Sequence, residues 1–212
     1  MKHIDSWKNL DVFKDQLNLN ERELHNYPAH WGFFIDCMNS LDVSTLLDLG
    51  CGSGVYKELC RRHLPNVHYT GMDYAKEAIQ VAKQRWGGED WVVADYKELT
   101  EEAVGKYDVL HTGAMLDVLP NGDEALSFLL ELGFKHVILG RVLLTEGISE
   151  ATEYVAYDKI HTYSYAHNLD NLRSIIKEAG YTATFAGAAN NCTILLKKNH
   201  GMLDEEVLNI FG

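Results

Sequence analysis

Residues 46–54 read Leu46-Leu47-Asp48-Leu49-Gly50-Cys51-Gly52-Ser53-Gly54, an apolar run with an acid in it, followed by three glycines that alternate with Cys51 and Ser53. Val43, Leu46, Leu47 and Leu49 suit a strand buried on both faces, and the glycines permit a tight turn with positive backbone angles. From 53 to 63 the pattern is helical, with Val55, Leu59 and Cys60 on one face and Lys57, Arg61 and Arg62 away from it. Strand, glycine turn and helix N-terminus together predict a binding cradle, in which bare backbone lets a ligand approach and free helix amides face its anionic groups.

The glycine spacing selects the ligand. A dinucleotide fingerprint places its third glycine three positions after the second, but here Gly54 follows Gly52 by two and Val55 fills the dinucleotide position. The string Asp48 to Gly54 resembles motif I of the class I S-adenosylmethionine-dependent methyltransferases. That resemblance implies that Asp48, Gly50, Cys51, Gly52 and Gly54 hold the methionine portion of S-adenosylmethionine, with S-adenosylhomocysteine as product. A glycine turn without a ligand is the alternative.

Two further strands end in acids. Val67 to Met72 runs into Asp73, 23 residues after Gly50, and Trp91 to Ala94 runs into Asp95 and Tyr96. A carboxylate at the end of the second strand of such a unit can accept both ribose hydroxyls, and Asp73 reads as an exposed acid in that place; its other reading is the cap of a helix over 75–85. The family resemblance extends the cofactor set to Tyr74 beside Asp73, and gives Asp95 the adenine amino group and the Tyr96 backbone amide the ring. Asp95 also reads as a turn residue capping 97–103.

A fourth strand, 107–112, stops at Gly113, so His111, Thr112 and Gly113 are expected to border the transferred methyl group, since ligands of open α/β sheets sit outside the carboxyl ends of strands. In Met115 to Pro120, Val118 stands where many family members carry a histidine, and Asp117 is left to face the site. A helix over about 123–132 and a fifth strand over 136–140 complete a right-handed crossover. Residues 141–166 are the least regular stretch, with Tyr154, Tyr157, His161, Tyr163 and Tyr165, and read as a substrate-recognition insertion with a small hairpin pairing 153–157 to 162–165, or as plain packing against the sheet edge. A helix capped by Asn168 and two strands, 181–186 and 192–197, close the domain, their short link requiring an antiparallel pair.

The whole is an α/β fold: a Rossmann-like, seven-stranded, mostly parallel sheet with helices on both faces and an antiparallel C-terminal strand. Residues 1–42 form a helical extension, split at Pro28, in which Tyr27, His30 and Trp31 are placed over the cofactor mouth as a lid, or simply anchor the extension. Residues 43–198 form the cofactor-binding domain. The tail, 199–212, reads as an amphipathic docking helix or a dimer contact.

Composition limits the partners. The chain has 212 residues, 19 basic and 31 acidic, for a formal net charge of −12. A protein that grips nucleic acid through phosphates needs a basic patch, so nucleic acid is not expected and a small-molecule methyl acceptor is. Four cysteines without CxxC spacing, the lack of HxH or HExxH, no apolar run able to span a bilayer and no signal-peptide core point to a cytoplasmic protein without a zinc site, a monomer or homodimer.

Methyl transfer to a hydroxyl needs a base, and histidine is the usual one. Among His30, His111, His136, His161 and His167, the strand-end position favours His111 as the catalytic residue, then His161 and His167 beside the insertion. The expected reaction is methylation of an oxygen or nitrogen of a small molecule, such as a sugar or a secondary metabolite. A non-catalytic module that binds the cofactor and an NAD-dependent oxidoreductase are the competing readings.

Overall fold

The computed structural model describes residues 4–199. Proposals for the tail beyond them, the docking helix or dimer contact, lie outside the described residues. The strand quoted above is β1 (Thr45–Leu49), joined through the glycine turn to α3 (Val55–His63), then β2 (His68–Asp73), α4 (Lys76–Trp86), β3 (Trp91–Val93), the short α5 (Glu101–Val104) and β4 (Val109–Gly113). α6 (Gly122–Glu131), β5 (His136–Thr145), β6 (Glu150–Ala156), β7 (Ile160–Asn168), α7 (Leu169–Glu178), β8 (Tyr181–Ala186) and β9 (Cys192–Lys198) follow. Upstream lie a 3-10 turn over Ile4–Trp7, α1 (Leu10–Glu23) and α2 (Ala29–Asn39). Asn9 caps α1 by accepting from the amides of Asp11 and Val12, and Pro28, which cannot continue a helix, sets the start of α2.

Strands β3, β2, β1, β4 and β5 pair in parallel in that order, and β9 runs antiparallel between β5 and β8. This is the expected seven-stranded arrangement with its antiparallel closing strand. The sheet goes further than expected at one corner. Residues 141–145, read from sequence as irregular, continue β5, and its last three residues, Leu143, Leu144 and Thr145, pair with β7 of the β6–β7 hairpin, which has the Tyr154↔Thr162 register. Arg141, at a φ of 63°, lies in the irregularity between Leu139 and Val142 where β5 leaves its β9 register.

Alternation along the parallel strands sorts the core. Leu47, Leu49 and Leu110 face the α6 and α7 side with Leu126, Leu129 and Leu172, while Leu46 and Val109 face Phe34 of α2 and Leu59 of α3. Each such side chain, fully covered, contributes about 1.5–3 kcal/mol. The carboxyl ends of β1, β2 and β4, left open by both layers, are where a ligand can enter.

Candidate functional site

Gly50, Gly52 and Gly54 all have positive φ, as the turn requires. Their surroundings differ. A Cβ on Gly54 would lie 2.6 Å from the Trp91 ring and 2.8 Å from Ala82, so this glycine lets α3 and α4 close on the sheet. Gly50 and Gly52 line a cavity of about 200 Å³. The amides of the turn itself are engaged: Gly50 and Cys51 donate to the Met72 carbonyl, Gly52 to Asp73 Oδ2, Ser53 to Gln16 Oε1 and Gly54 to the Cys51 carbonyl. The turn offers close approach and curvature, and two of its amides are held by side chains, that of Gly52 by Asp73 and that of Ser53 by Gln16.

The cavity spans the strand ends. On one side it meets Asp73, Tyr74, Ala94, Asp95 and Tyr96; on the other, Gly113, Met115, Asp117, Arg141 and the hairpin tyrosines Tyr154 and Tyr157. Trp7, Phe13 and Gln16 of the N-terminal segment cover it. Asp73 is buried rather than exposed as the sequence suggested. Its two oxygens accept from the amides of Gly52 (3.0 Å) and Ala75 (2.9 Å), so the carboxylate ties the turn to α4 and still borders the cavity. Burial pushes its carboxyl up to about 6, the donors from Ala75 and Gly52 offsetting part of the effect and Asp48 adding to it. Asp95 is a cap and a wall at once: Oδ1 accepts from the Lys97 amide, and Glu98 accepts from the Asp95 amide.

Asp117, on a 3-10 turn after β4, also borders the cavity. Its Oδ1 is sealed from solvent without a hydrogen-bond partner, and burial pushes the carboxyl up to about 7 although Arg141 pulls it down.

Several expected site residues lie elsewhere. Asp48 follows Leu46 on the α2–α3 face of β1; it is 1% exposed, accepts from Tyr69 Oη (2.6 Å) and pairs with His111 Nδ1 (2.7 Å). His111, fully buried between the rings of Phe34 and Tyr56, does not border the cavity, so as placed here it cannot meet an acceptor. Thr112 and Cys51 are buried and outside the cavity wall, as is Gly54. His161 is exposed opposite Val155 on the hairpin, away from the wall. His167 is fully buried, with Nδ1 2.6 Å from Asp123 Oδ1, and ties β7 to α6. The lid is misplaced too. Trp31 packs with Phe34 and Met38 in the core, Tyr27 meets His63 and Arg62, and burial pushes the neighbouring His30 down to about 4.

A more open cleft of about 540 Å³, lined by Lys57, Arg61, Arg85 and Trp86, lies along α3 and α4. Its charges are matched, Lys57 to Asp90 and Arg61 to Glu58, and it is remote from the strand ends, so the smaller cavity is the site. Residues that the sequence did not signal are Trp7, Phe13, Gln16 and Arg141. Among the described residues, no group of three or more His, Cys, Asp or Glu side chains is placed to hold a metal, and no helix is long and apolar enough to cross a membrane.

Strand order, antiparallel closure and a cavity at the glycine turn define the class I methyltransferase architecture. Residues 47–133 match a family model described as a methyltransferase domain. The ubiquinone biosynthesis O-methyltransferase of Bordetella pertussis is 31% identical over 99 residues, 44% of this chain and 40% of that protein. That of Marinobacter nauticus is 31% identical over 122 residues, 54% of this chain and 47% of that protein. The chain thus spans less than half the length of these curated relatives. Among solved structures, Streptomyces venezuelae DesVI aligns with a TM-score of 0.62 at 13% identity, covering 89% of this chain and 98% of that one. Human N-acetylserotonin methyltransferase in complex with SAM aligns with a TM-score of 0.62 at 19% identity, covering 89% and 56%.

Proposed function

We propose that the protein transfers a methyl group from S-adenosylmethionine to an oxygen or nitrogen of a small molecule. The observation that carries this reading is the convergence of Gly50, Gly52, Asp73, Asp95 and Tyr96 on one cavity at the carboxyl ends of β1, β2 and the segment after β3. These residues fit the cofactor: Gly50 and Gly52 present no Cβ to it, Asp73 keeps acceptor capacity for a ribose diol, and Asp95 with Tyr96 borders the same cavity. When bound, the sulfonium supplies an activated methyl group.

The chain's own part is alignment and exclusion of water, a contribution that reaches roughly 7–11 kcal/mol in favourable cases. Trp7, Phe13 and Gln16 from the N-terminal segment serve as the cover in place of Tyr27, His30 and Trp31. Residues 141–166, with Arg141, Tyr154 and Tyr157 on the cavity, supply the acceptor wall. The net charge of −12 favours a small acceptor over nucleic acid, and the four unpaired cysteines favour the cytoplasm.

Calorimetry with S-adenosylhomocysteine tests the cofactor half, and transfer of labelled methyl to a panel of small hydroxyl and amino compounds tests the reaction. Absence of S-adenosylhomocysteine binding would overturn the proposal. Binding with no transfer to any compound would make the protein a cofactor-binding module.

A further inference from the structure

The far half of the cavity holds two polar groups for which the cofactor has no use. Asp117 Oδ1 is sealed from solvent and accepts no hydrogen bond, although the turn that carries it directly follows β4, where the reacting groups of this fold meet. A buried carboxylate oxygen without a donor is costly, and a ligand that brings a donor removes the cost. Arg141 borders the same cavity, near enough for its charge to act on Asp117, and is held in a left-handed backbone conformation that a non-glycine residue rarely adopts. Its guanidinium makes no ion pair with a described residue, in a chain with 31 acidic side chains. Tyr154, Tyr157 and Trp7 line the same cavity, Trp7 packing edge-on against Tyr157, and give it aromatic walls.

Resting on the methyl-transfer reading above, we infer that the acceptor is a ring-bearing hydroxy acid whose carboxylate pairs with Arg141 and whose hydroxyl gives its proton to Asp117. In the transfer, the acceptor O–H bond breaks and its proton passes to the Asp117 carboxylate, which borders the cavity. The oxygen bonds to the methyl carbon as the methyl–sulfur bond breaks, and that electron pair stays on sulfur, which leaves as a neutral thioether. Asp117 then returns its proton to solvent. Guanidinium and carboxylate match in charge and planar geometry, which sets the register of the ring, and the aromatic walls keep water from the reacting oxygen.

Two acid and amide pairs of different length test this: 4-hydroxybenzoate with 4-hydroxybenzamide, and 4-hydroxycinnamate with its amide. Each is titrated calorimetrically into protein saturated with S-adenosylhomocysteine. At least one acid is expected to bind about tenfold tighter than its amide, a difference that Arg141→Gln erases without altering S-adenosylhomocysteine affinity. The acid that binds is expected to accept labelled methyl. Asp117→Asn then lowers kcat by about a hundredfold with little change in KM, and abolishes the rise of kcat with pH near neutrality. Thermal unfolding and S-adenosylhomocysteine affinity confirm that both variants are folded.

Equal binding of acids and amides, a preference that survives Arg141→Gln, binding without methylation, or an Asp117→Asn enzyme that keeps its turnover and pH profile would each overturn the inference while leaving the cofactor reading in place. Failure of S-adenosylhomocysteine to bind would instead remove the reading on which it rests.

Discussion

Asp117→Asn removes an ionisable group from the cavity wall with almost no change of shape, which makes its pH dependence informative about stability as well as catalysis. Burial holds the Asp117 carboxyl near 7 in the fold, against an ordinary value of 3.8 in the unfolded chain. A difference of that size corresponds to a ceiling of about 4 kcal/mol at pH 8, at about 1.4 kcal/mol per pH unit. The cavity is open to water on one side, so about half of that, roughly 2 kcal/mol, is the expected magnitude.

The folded state binds the extra proton, so the native protein is least penalised below pH 4 and loses stability as pH rises from about 4 to about 7, then levels off. The asparagine variant lacks this slope. Urea unfolding of both proteins at pH 4.5, 6 and 8 is expected to show the variant gaining on the wild type by roughly 2 kcal/mol across the series. Because the amide's own contacts do not titrate, a constant difference between the two proteins over this range would refute the claim that burial raises the Asp117 carboxyl.

Asp73→Asn separates binding from folding. In the wild type, S-adenosylhomocysteine affinity should fall about tenfold between pH 7 and pH 5 as the carboxylate near 6 takes up a proton, and calorimetry on the variant should show weak, pH-independent binding. His111→Ala should cost about 3 kcal/mol in denaturant unfolding, because it leaves Asp48 buried with one donor fewer, and should leave cofactor affinity nearly unchanged; a large loss of affinity at full stability would put His111 back at the site. Gly54→Ala forces a Cβ into Trp91 and Ala82 at positive φ, an expected loss of about 3 kcal/mol that calorimetry would register as a melting point lower by roughly 9 °C. Trp7→Ala should weaken S-adenosylhomocysteine binding by about tenfold, and an unchanged dissociation constant would show that the N-terminal cover is not part of the closed site.

The glycine turn, the strand order and the acids at 73 and 95 were legible because they are local: each is a strand end or a turn, written in consecutive residues. The misplaced residues share a cause. A strand covered on both faces has no polar side, so nothing in Val109 to Gly113 tells which way His111 points, and only the packing of α2 and α3 shows that it faces the core with Asp48. The partners of the turn amides, Met72, Asp73 and Gln16, could not be read because they are between roughly 20 and 40 residues away along the chain. Arg141 was hidden inside what read as irregular sequence, since a bulge in a long strand leaves no periodic signal. Trp7 and Gln16 lay in a helical extension whose apolar residues were apparent but whose docking surface depends on α4 and β7.

The β6–β7 hairpin pairs with the main sheet through the last three residues of β5, while the adenosine-facing residues lie at and after the ends of β1, β2 and β3. Its other ties include side-chain contacts, His167 with Asp123 and Trp7 with Thr162, so the hairpin can be exchanged as a cassette if those partners are matched. Grafting a different hairpin between Glu146 and Asn168 would redraw the choice of acceptor and leave the donor pocket as it stands, so related chains can diversify their chemistry by changing a single excursion from a fixed platform.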